Sequence, residues 1–143
     1  MKRSILGVTL IELMIAVAIV AILAAVGYPA YTSFVAESRR TEAMKELATL
    51  AVLQEQYYAD NAEYSSTLAA LGMAASGATS YNTENAYYSI TLTTSSASST
   101  FTVKATAQGS QSTADKDCRS FSMDDEGAKT ALDAQGNVNA DCW

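Results

Sequence analysis

The sequence predicts an α+β protein in which one long N-terminal helix packs on a four-stranded antiparallel sheet. An almost uncharged apolar run from Val8 to Tyr28 leads into an amphipathic segment that continues to about residue 60. Four short runs of alternating apolar and polar residues follow between residues 87 and 132. Two cysteines lie near the end of the sequence. A helix followed by a series of strands is typical of a two-layer α+β domain.

The apolar run predicts a single membrane-spanning helix at residues 8–28. As a helix it would be about 31 Å long, which matches a hydrocarbon core of roughly 30 Å. Lys2 and Arg3 lie just before it, in the segment that ends at Gly7. Because basic flanks stay on the cytoplasmic side, we expect a cytoplasmic amino terminus and an exported globular domain at residues 29–143.

Glu12 is the only charged side chain between Val8 and Tyr28. A carboxylate inside a membrane helix costs roughly 2.5 to 3.5 kcal/mol even on the lenient insertion scale, so a use for it is expected. One interpretation is that Glu12 pairs with a positive charge; the other is a polar contact within a small membrane bundle. A conventional secretory signal, cleaved after a small residue such as Ala25, is disfavoured because Glu12 interrupts its apolar core.

Pro29 lies inside what otherwise reads as one helix, and its missing N–H predicts a kink there. Beyond the kink, apolar residues at spacings of three and four predict a stripe that packs on the sheet. This predicted stripe comprises Met44, Leu47, Ala48, Ala51 and Tyr58. The mixed charges from Glu37 to Glu46 are interpreted as a solvated face with charge pairs along the helix.

Residues 61–86 are predicted to form a surface connection, with one short helix at Ser66 to Leu71. The sheet and disulfide region then occupies residues 87–143. Its four strands are predicted from residues that alternate with period two, around 88–93, 101–106, 121–123 and 129–132. A turn is expected at Asp124 to Gly127. The two cysteines, Cys118 and Cys142, predict a disulfide because an exported domain folds in an oxidising compartment.

The residues Gly7-Val8-Thr9-Leu10-Ile11-Glu12-Leu13 resemble the processing motif of type IV pilins and type II secretion pseudopilins. The resemblance extends through Tyr28-Pro29-Ala30-Tyr31 to residues 38–43 and resumes at Cys118 and at Cys142-Trp143, whereas most of the middle is unmatched. It implies the ladle-shaped pilin fold. It also implies that a prepilin peptidase removes the leader, residues 1–7, between Gly7 and Val8 and methylates Val8.

The same resemblance implies a filament in which the apolar helix is first the membrane anchor and later the core. Cleavage creates an ammonium on Val8, and Glu12 of a neighbouring subunit would pair with it, so that both buried charges are compensated. Pro29 would let the helix bend in the free subunit and extend on assembly. The implied partners are other pilin subunits, the peptidase, the pilus assembly platform and the membrane.

The subunit would lie in the bacterial inner membrane before assembly and in an extracellular pilus afterwards, serving attachment, twitching motility or DNA uptake. A minor pilin is favoured over the major one. The alternatives are a type II secretion pseudopilin and a membrane-anchored adhesin or DNA-binding competence pilin.

Catalytic chemistry is not indicated, so we expect no enzyme and no cofactor. The sequence has no histidine and no phosphate-binding glycine loop with lysine. An acidic cluster matches no EF-hand spacing and is interpreted as a solvated hairpin tip, with calcium binding as the alternative; it comprises Asp115, Asp117, Asp124, Asp125 and Glu126. The net charge of −6 disfavours nucleic acid as a partner, because only four cations could form a basic patch: Lys104, Lys116, Arg119 and Lys129.

Overall fold

A computed structural model describes residues 8–143 and confirms the α+β class. The helices are α1 (Leu10–Asn61) and α2 (Gly109–Ala114), and a short 3-10 turn covers Ala140–Cys142. The strands are β1 (Ser80–Asn82), β2 (Tyr88–Thr94), β3 (Phe101–Ala107), β4 (Ser120–Asp124) and β5 (Lys129–Leu132). The chain forms two compact units, an N-terminal unit that ends at Phe34 and a C-terminal unit from Val35 to Trp143. The predicted leader, residues 1–7, lies outside the described residues.

Helix α1 is continuous through Pro29. The Pro29 carbonyl accepts hydrogen bonds from the hydroxyls of Thr32 and Ser33, at 2.9 and 3.1 Å. Such back-bonding and the missing proline N–H both favour bending of a helix. The kink at Pro29 stays a prediction.

The sheet has five antiparallel strands in the order β1-β2-β3-β4-β5, so the prediction of four strands was wrong. The missed strand, β1, lies inside the predicted connection at residues 61–86. Tyr81, which pairs with Ile90, is its only half-buried residue. A strand of three residues is too short to show an alternation of apolar and polar residues in the sequence. The segment predicted as a short helix, Ser66 to Leu71, forms turns instead.

The core lies between α1 and the inner face of the sheet. From the sheet it takes Tyr88, Ile90, Phe101, Val103, Ala105, Phe121 and Ala131, all buried. From α1 it takes Ala43, Leu47 and Leu50. The predicted stripe is therefore right about Leu47, and about Met44 and Ala51, which are partly buried against the core, whereas Ala48 and Tyr58 are exposed.

Gln54 is the polar member of the buried face of α1. Its Nε2 donates to the Ser65 carbonyl at 2.9 Å, and its Oε1 accepts from the Ser65 N–H at 2.8 Å. A buried amide satisfied on both sides in this way costs little and fixes its partner. Gln54 thus holds the chain that follows α1 against the helix, a role that hydrophobic periodicity could not reveal.

The disulfide between Cys118 and Cys142 is confirmed, and both cysteines are buried. It closes the segment that contains β4, β5 and the tail that follows. The tail adds only one bridge to the sheet, between Val138 and Leu132. At its end the Trp143 ring packs edge-on against Phe121, with centroids 5.7 Å apart. The covalent link therefore replaces apolar contacts that the tail lacks.

The first stability test concerns the core. Leu47→Ala should lower the free energy of unfolding by about 3 kcal/mol, because it removes a fully buried side chain from the α1 face of the core. Val52→Ala on the exposed face of the same helix is the matched control and should cost under about 1 kcal/mol. Denaturant unfolding of the purified full chain in detergent measures both, and equal losses would contradict the core described above.

The second test concerns the disulfide. Replacing Cys118 and Cys142 together by serine should lower the free energy of unfolding by about 3.5 kcal/mol, as the chain-entropy model gives for a loop of this size. The loss should appear as a lower denaturant midpoint of the double variant relative to the oxidised native protein. Reduction of the native protein should lower its midpoint to that of the double variant. A double variant as stable as the native chain would show that the disulfide does not stabilise the fold.

Candidate functional site

The N-terminal unit presents a continuous apolar surface that the described chain leaves uncovered. Every large apolar side chain from Val8 to Phe34 is more than half exposed, from 53% at Ile19 to 78% at Leu10. The helix is long and apolar enough to cross a membrane, with a mean hydropathy of 2.7 over its best window. An apolar surface of this extent marks an interface with lipid or with other proteins.

Glu12 lies in the first turn of α1, four positions after Val8 in the sequence. Its backbone N–H donates to Thr9 Oγ1 at 3.3 Å, which makes Thr9 the N-cap residue. An acidic residue at this position also interacts favourably with the helix dipole. Within residues 8–143, no hydrogen bond or ion pair engages the Glu12 carboxylate.

The structure therefore places Glu12 and Val8 at the same end of the helix, both exposed and both available to a partner. Gly7, the other half of the predicted cleavage site, lies outside the described residues. Sequence reasoning missed Thr9. Its signal was present, because Thr9-Leu10-Ile11-Glu12 ahead of an apolar run is the pattern of a helix capping box.

In the C-terminal unit, an ion pair fixes α2 against α1. Arg40 donates from Nε and Nη2 to the two Asp115 carboxylate oxygens at 2.8 and 2.9 Å, and Asp115 is buried. This hydrogen bonding raises the pKa of Arg40. The buried Gln111 amide donates to the Ala36 carbonyl and to the Tyr88 hydroxyl, and burial raises the pKa of Tyr88 to about 12. The ion pair and the amide together form one desolvated polar network.

The charges between Glu37 and Glu46 were expected to pair along a solvated face, and this interpretation was wrong. Four of the six contact the sheet and its loops instead, while Glu37 and Lys45 are exposed. Besides Arg40, three residues along one side of α1 make such contacts: Arg39 stacks on the Tyr87 ring at 4.1 Å, Glu42 accepts from Asn85, and Glu46 accepts from Tyr81 at 2.8 Å. Partial burial opposes ionisation of Glu42, yet hydrogen bonds from Thr83 and Asn85 lower its pKa.

The acidic cluster of the sequence is dispersed. Asp115 is paired with Arg40. Asp117 follows two residues later in the sequence, after the end of α2. Asp124 accepts from the Ala128 N–H at 2.7 Å and so shapes the predicted turn between β4 and β5. Among the described residues no group of three or more histidine, cysteine or acidic side chains is arranged to hold a metal ion.

Asp124, Asp125 and Glu126 instead form one edge of a groove of about 580 Å³. The opposite wall is the end of α1 and includes Val52 and Glu55. The remaining lining is largely apolar and comprises Ala51, Ala59, Phe101 and Met123, with Gln56 and Gly127. An apolar surface bordered by carboxylates suits a partner that is both apolar and cationic.

The four cations named in the sequence analysis are only partly brought together. Lys104 lies on the outer face of the sheet, opposite Ser122 of β4. Lys129 lies over the Trp143 ring, with its Nζ 4.9 Å from the centroid. Lys116 and Arg119 lie within two residues of Cys118 in the sequence, and Trp143 follows Cys142, to which Cys118 is bonded. Lys116, Arg119 and Lys129 therefore belong to the disulfide region.

Two family models match the sequence. Residues 29–122, more than half of the chain, match a family described as type IV minor pilin ComP, DNA uptake sequence receptor. Residues 2–28 match the prokaryotic N-terminal methylation motif.

Curated relatives include fimbrial protein EcpC of Eikenella corrodens, 44% identical over 69 residues, which are 48% of this chain and 45% of that protein. Type IV major pilin protein PilA of Myxococcus xanthus is 41% identical over 68 residues, which are 48% of this chain and 31% of that protein. The chain thus spans less than half the length of these relatives.

A solved type IV pilin from Shewanella oneidensis has a similar fold, with a TM-score of 0.50 and 24% identity over 66% of this chain and 89% of that one. The likeness supports the arrangement of one long helix on an antiparallel sheet. With the family match to residues 29–122 and the methylation motif ahead of it, the sequence and the fold agree. The chain belongs to the type IV pilin family.

Proposed function

We propose that this protein is a minor subunit of a type IV pilus that polymerises through its N-terminal helix. The observation that carries the proposal is the uncovered apolar surface from Val8 to Phe34 with a single carboxylate, Glu12, at its beginning. A membrane anchor alone needs the apolar surface but gains nothing from Glu12. A filament core uses both.

The chemistry divides between two steps. In the bilayer, lipid already covers the apolar surface, so burial of that surface gives little drive for helix association. A carboxylate in the bilayer is costly, and pairing it with an ammonium from another subunit removes part of that cost. Glu12 therefore selects the partner and sets the axial register, and apolar packing then holds the helices together outside the membrane.

Processing is the second part of the proposal. Cleavage between Gly7 and Val8 would free the ammonium, and methylation of Val8 would keep its charge while blocking acylation. The match of residues 2–28 to the N-terminal methylation motif supports this step. The peptidase, the assembly platform and a single-pass topology with a cytoplasmic amino terminus belong to the same proposal.

The ComP family match favours a minor pilin over the major subunit and over a type II secretion pseudopilin. It also makes DNA a second candidate partner, although the net charge of −6 disfavours nucleic-acid binding. The structural observation that favours DNA is the Lys129 ammonium, which lies 4.9 Å from the centroid of the half-buried Trp143 ring in the disulfide region. A cation beside an aromatic ring can contact a phosphate and a base together.

The filament proposal is tested by changing Glu12. Glu12→Ala should leave the mature chain in the membrane but reduce it in sheared surface filaments to about a tenth or less, because the Val8 ammonium loses its partner. Glu12→Asp, which keeps the charge, is the matched control and should retain most assembly. Quantitative immunoblots of membrane and sheared fractions measure the ratio, and normal filament content of Glu12→Ala would refute the proposal.

The DNA candidate is tested with the purified full chain in detergent. Binding to duplex DNA should weaken with added salt, and Lys129→Ala should weaken it further by about tenfold if this lysine contacts phosphate or a base. Lys104→Ala, on the outer sheet face, is the control that should change binding little. Gel-shift titrations measure both, and an absence of salt-dependent binding would exclude DNA as a direct partner of the purified chain.

A further inference from the structure

We propose that the groove between the end of α1 and the turn that joins β4 to β5 binds a free amphipathic amine, a small molecule with an apolar body and one ammonium group. The groove lies wholly within the C-terminal unit and shares no residue with the apolar surface from Val8 to Phe34. The inference therefore goes beyond the proposed function and does not depend on it.

The groove has the size and the lining of a small-molecule site. Its volume of about 580 Å³ falls within the usual range for such sites, roughly 300 to 1,000 Å³. Val52 of α1, which is 56% exposed, and the half-buried Met123 of β4 present apolar surface to it. The Phe101 ring, also in the lining, packs edge-on against Tyr64 with centroids 4.8 Å apart. This lining can cover an aliphatic or aromatic body.

The rim of the groove is acidic on both sides. Glu55 lies on the α1 wall, and Asp124, Asp125 and Glu126 lie on the opposite edge. Within residues 8–143 none of these carboxylates forms an ion pair, and no lysine or arginine of the described chain lines the groove. Carboxylates gathered around one cleft repel one another, and a bound ammonium relieves that repulsion. The rim therefore favours a cation over a neutral or anionic ligand.

Hydrogen bonds hold both sides of the rim in place within the subunit. The Asp125 N–H donates to the Phe101 carbonyl at 3.2 Å, which fixes the turn against the start of β3. On the other side the Glu55 carboxylate accepts from the Tyr64 hydroxyl at 3.0 Å. A site that is already ordered loses less conformational entropy when a ligand binds.

The lysine nearest in register does not fill the groove. Lys129 lies directly opposite Met123 in the β4–β5 pair. Its Nζ nevertheless lies 4.9 Å from the centroid of the Trp143 ring and forms no ion pair in the described chain. The carboxylates of the rim thus remain available to a cation from outside the chain.

The length of the apolar lining favours a free molecule over a lysine side chain of another protein. From Ala51 to Ala59 this lining extends about 12 Å along α1. A lysine carries its ammonium on a stem of about four carbons, which would cover only part of that length. An amine with a larger apolar body covers more of the lining and still places its ammonium at the rim.

Methyl NMR of isotope-labelled methionines tests binding in the full chain in a nonionic detergent. Phenylbutylammonium should shift the Met123 methyl signal to saturation, because this side chain lines the groove. Met14, in the apolar run, reports probe dissolved in the detergent. Met44 and Met73 pack against the core, so their unchanged signals would show that the fold is intact. Absence of a saturable shift at Met123 would overturn the inference.

Two further probes separate the charge from the apolar body. Phenylpentanoate, in which a carboxylate replaces the ammonium, should bind at least about tenfold more weakly. Butylammonium, which has the length of a lysine side chain and lacks the ring, should also bind at least about tenfold more weakly. Equal binding of butylammonium and phenylbutylammonium would assign the groove to a protein lysine and overturn the inference.

Carboxylate variants locate the ammonium. Glu55→Gln combined with Glu126→Gln neutralises one carboxylate on each side of the groove and should weaken phenylbutylammonium binding by about tenfold. Glu37→Gln combined with Glu84→Gln removes the same charge at exposed positions outside the groove and should leave the affinity unchanged. Equal affinities of the two double variants would contradict the site. Because filament assembly does not enter this measurement, its failure would leave the proposed function intact.

Discussion

The apolar surface of the first half of α1 is the constraint on which the remaining features depend. No side chain in the described part of the molecule covers it, so lipid or protein must do so. Lipid covers it without selecting a partner, because acyl chains are as apolar as the helix. Selection needs a polar group, and Glu12 is the one charge available from Val8 to Phe34. A burial cost of a few kcal/mol is small beside the apolar contacts of a whole helix but large enough to fix a register.

The C-terminal unit is built so that α1 stays firmly bound while one side of it remains free. Apolar packing through Leu47 and Leu50 supplies the main contact with the sheet. The Arg40 and Asp115 pair and the contacts of Glu42 and Glu46 then fix the helix against the loops and strands around it. These charged side chains therefore make their contacts within the subunit. On the opposite side of the helix Ala48, Val52 and Ala59 remain exposed.

Much of this could be predicted from the sequence. The apolar run, the period-two strands from Tyr88 onward and the two cysteines each carry a local signal, and the helix, these four strands and the disulfide are all present in the structure. The missed features lack such a signal. Strand β1 has one inward residue, Tyr81. Ala48 and Tyr58 are exposed on α1 although the spacing predicts them to be buried, because alanine and tyrosine occur on either face of a helix. The partners of Arg40 and Glu42 lie far along the chain, so only the fold could show that these charges face inward. Thr9 did have a local signal, the capping pattern Thr9-Leu10-Ile11-Glu12.

Electron cryomicroscopy of the assembled filament tests the central claim most directly, because it shows what covers the helix and what faces Glu12. The proposed assembly predicts that residues 8–28 pack against the same segment of other subunits, with the methylated amino terminus on Val8 adjacent to Glu12 of a neighbour. A filament in which Glu12 faces solvent, or in which these helices do not touch one another, would contradict it.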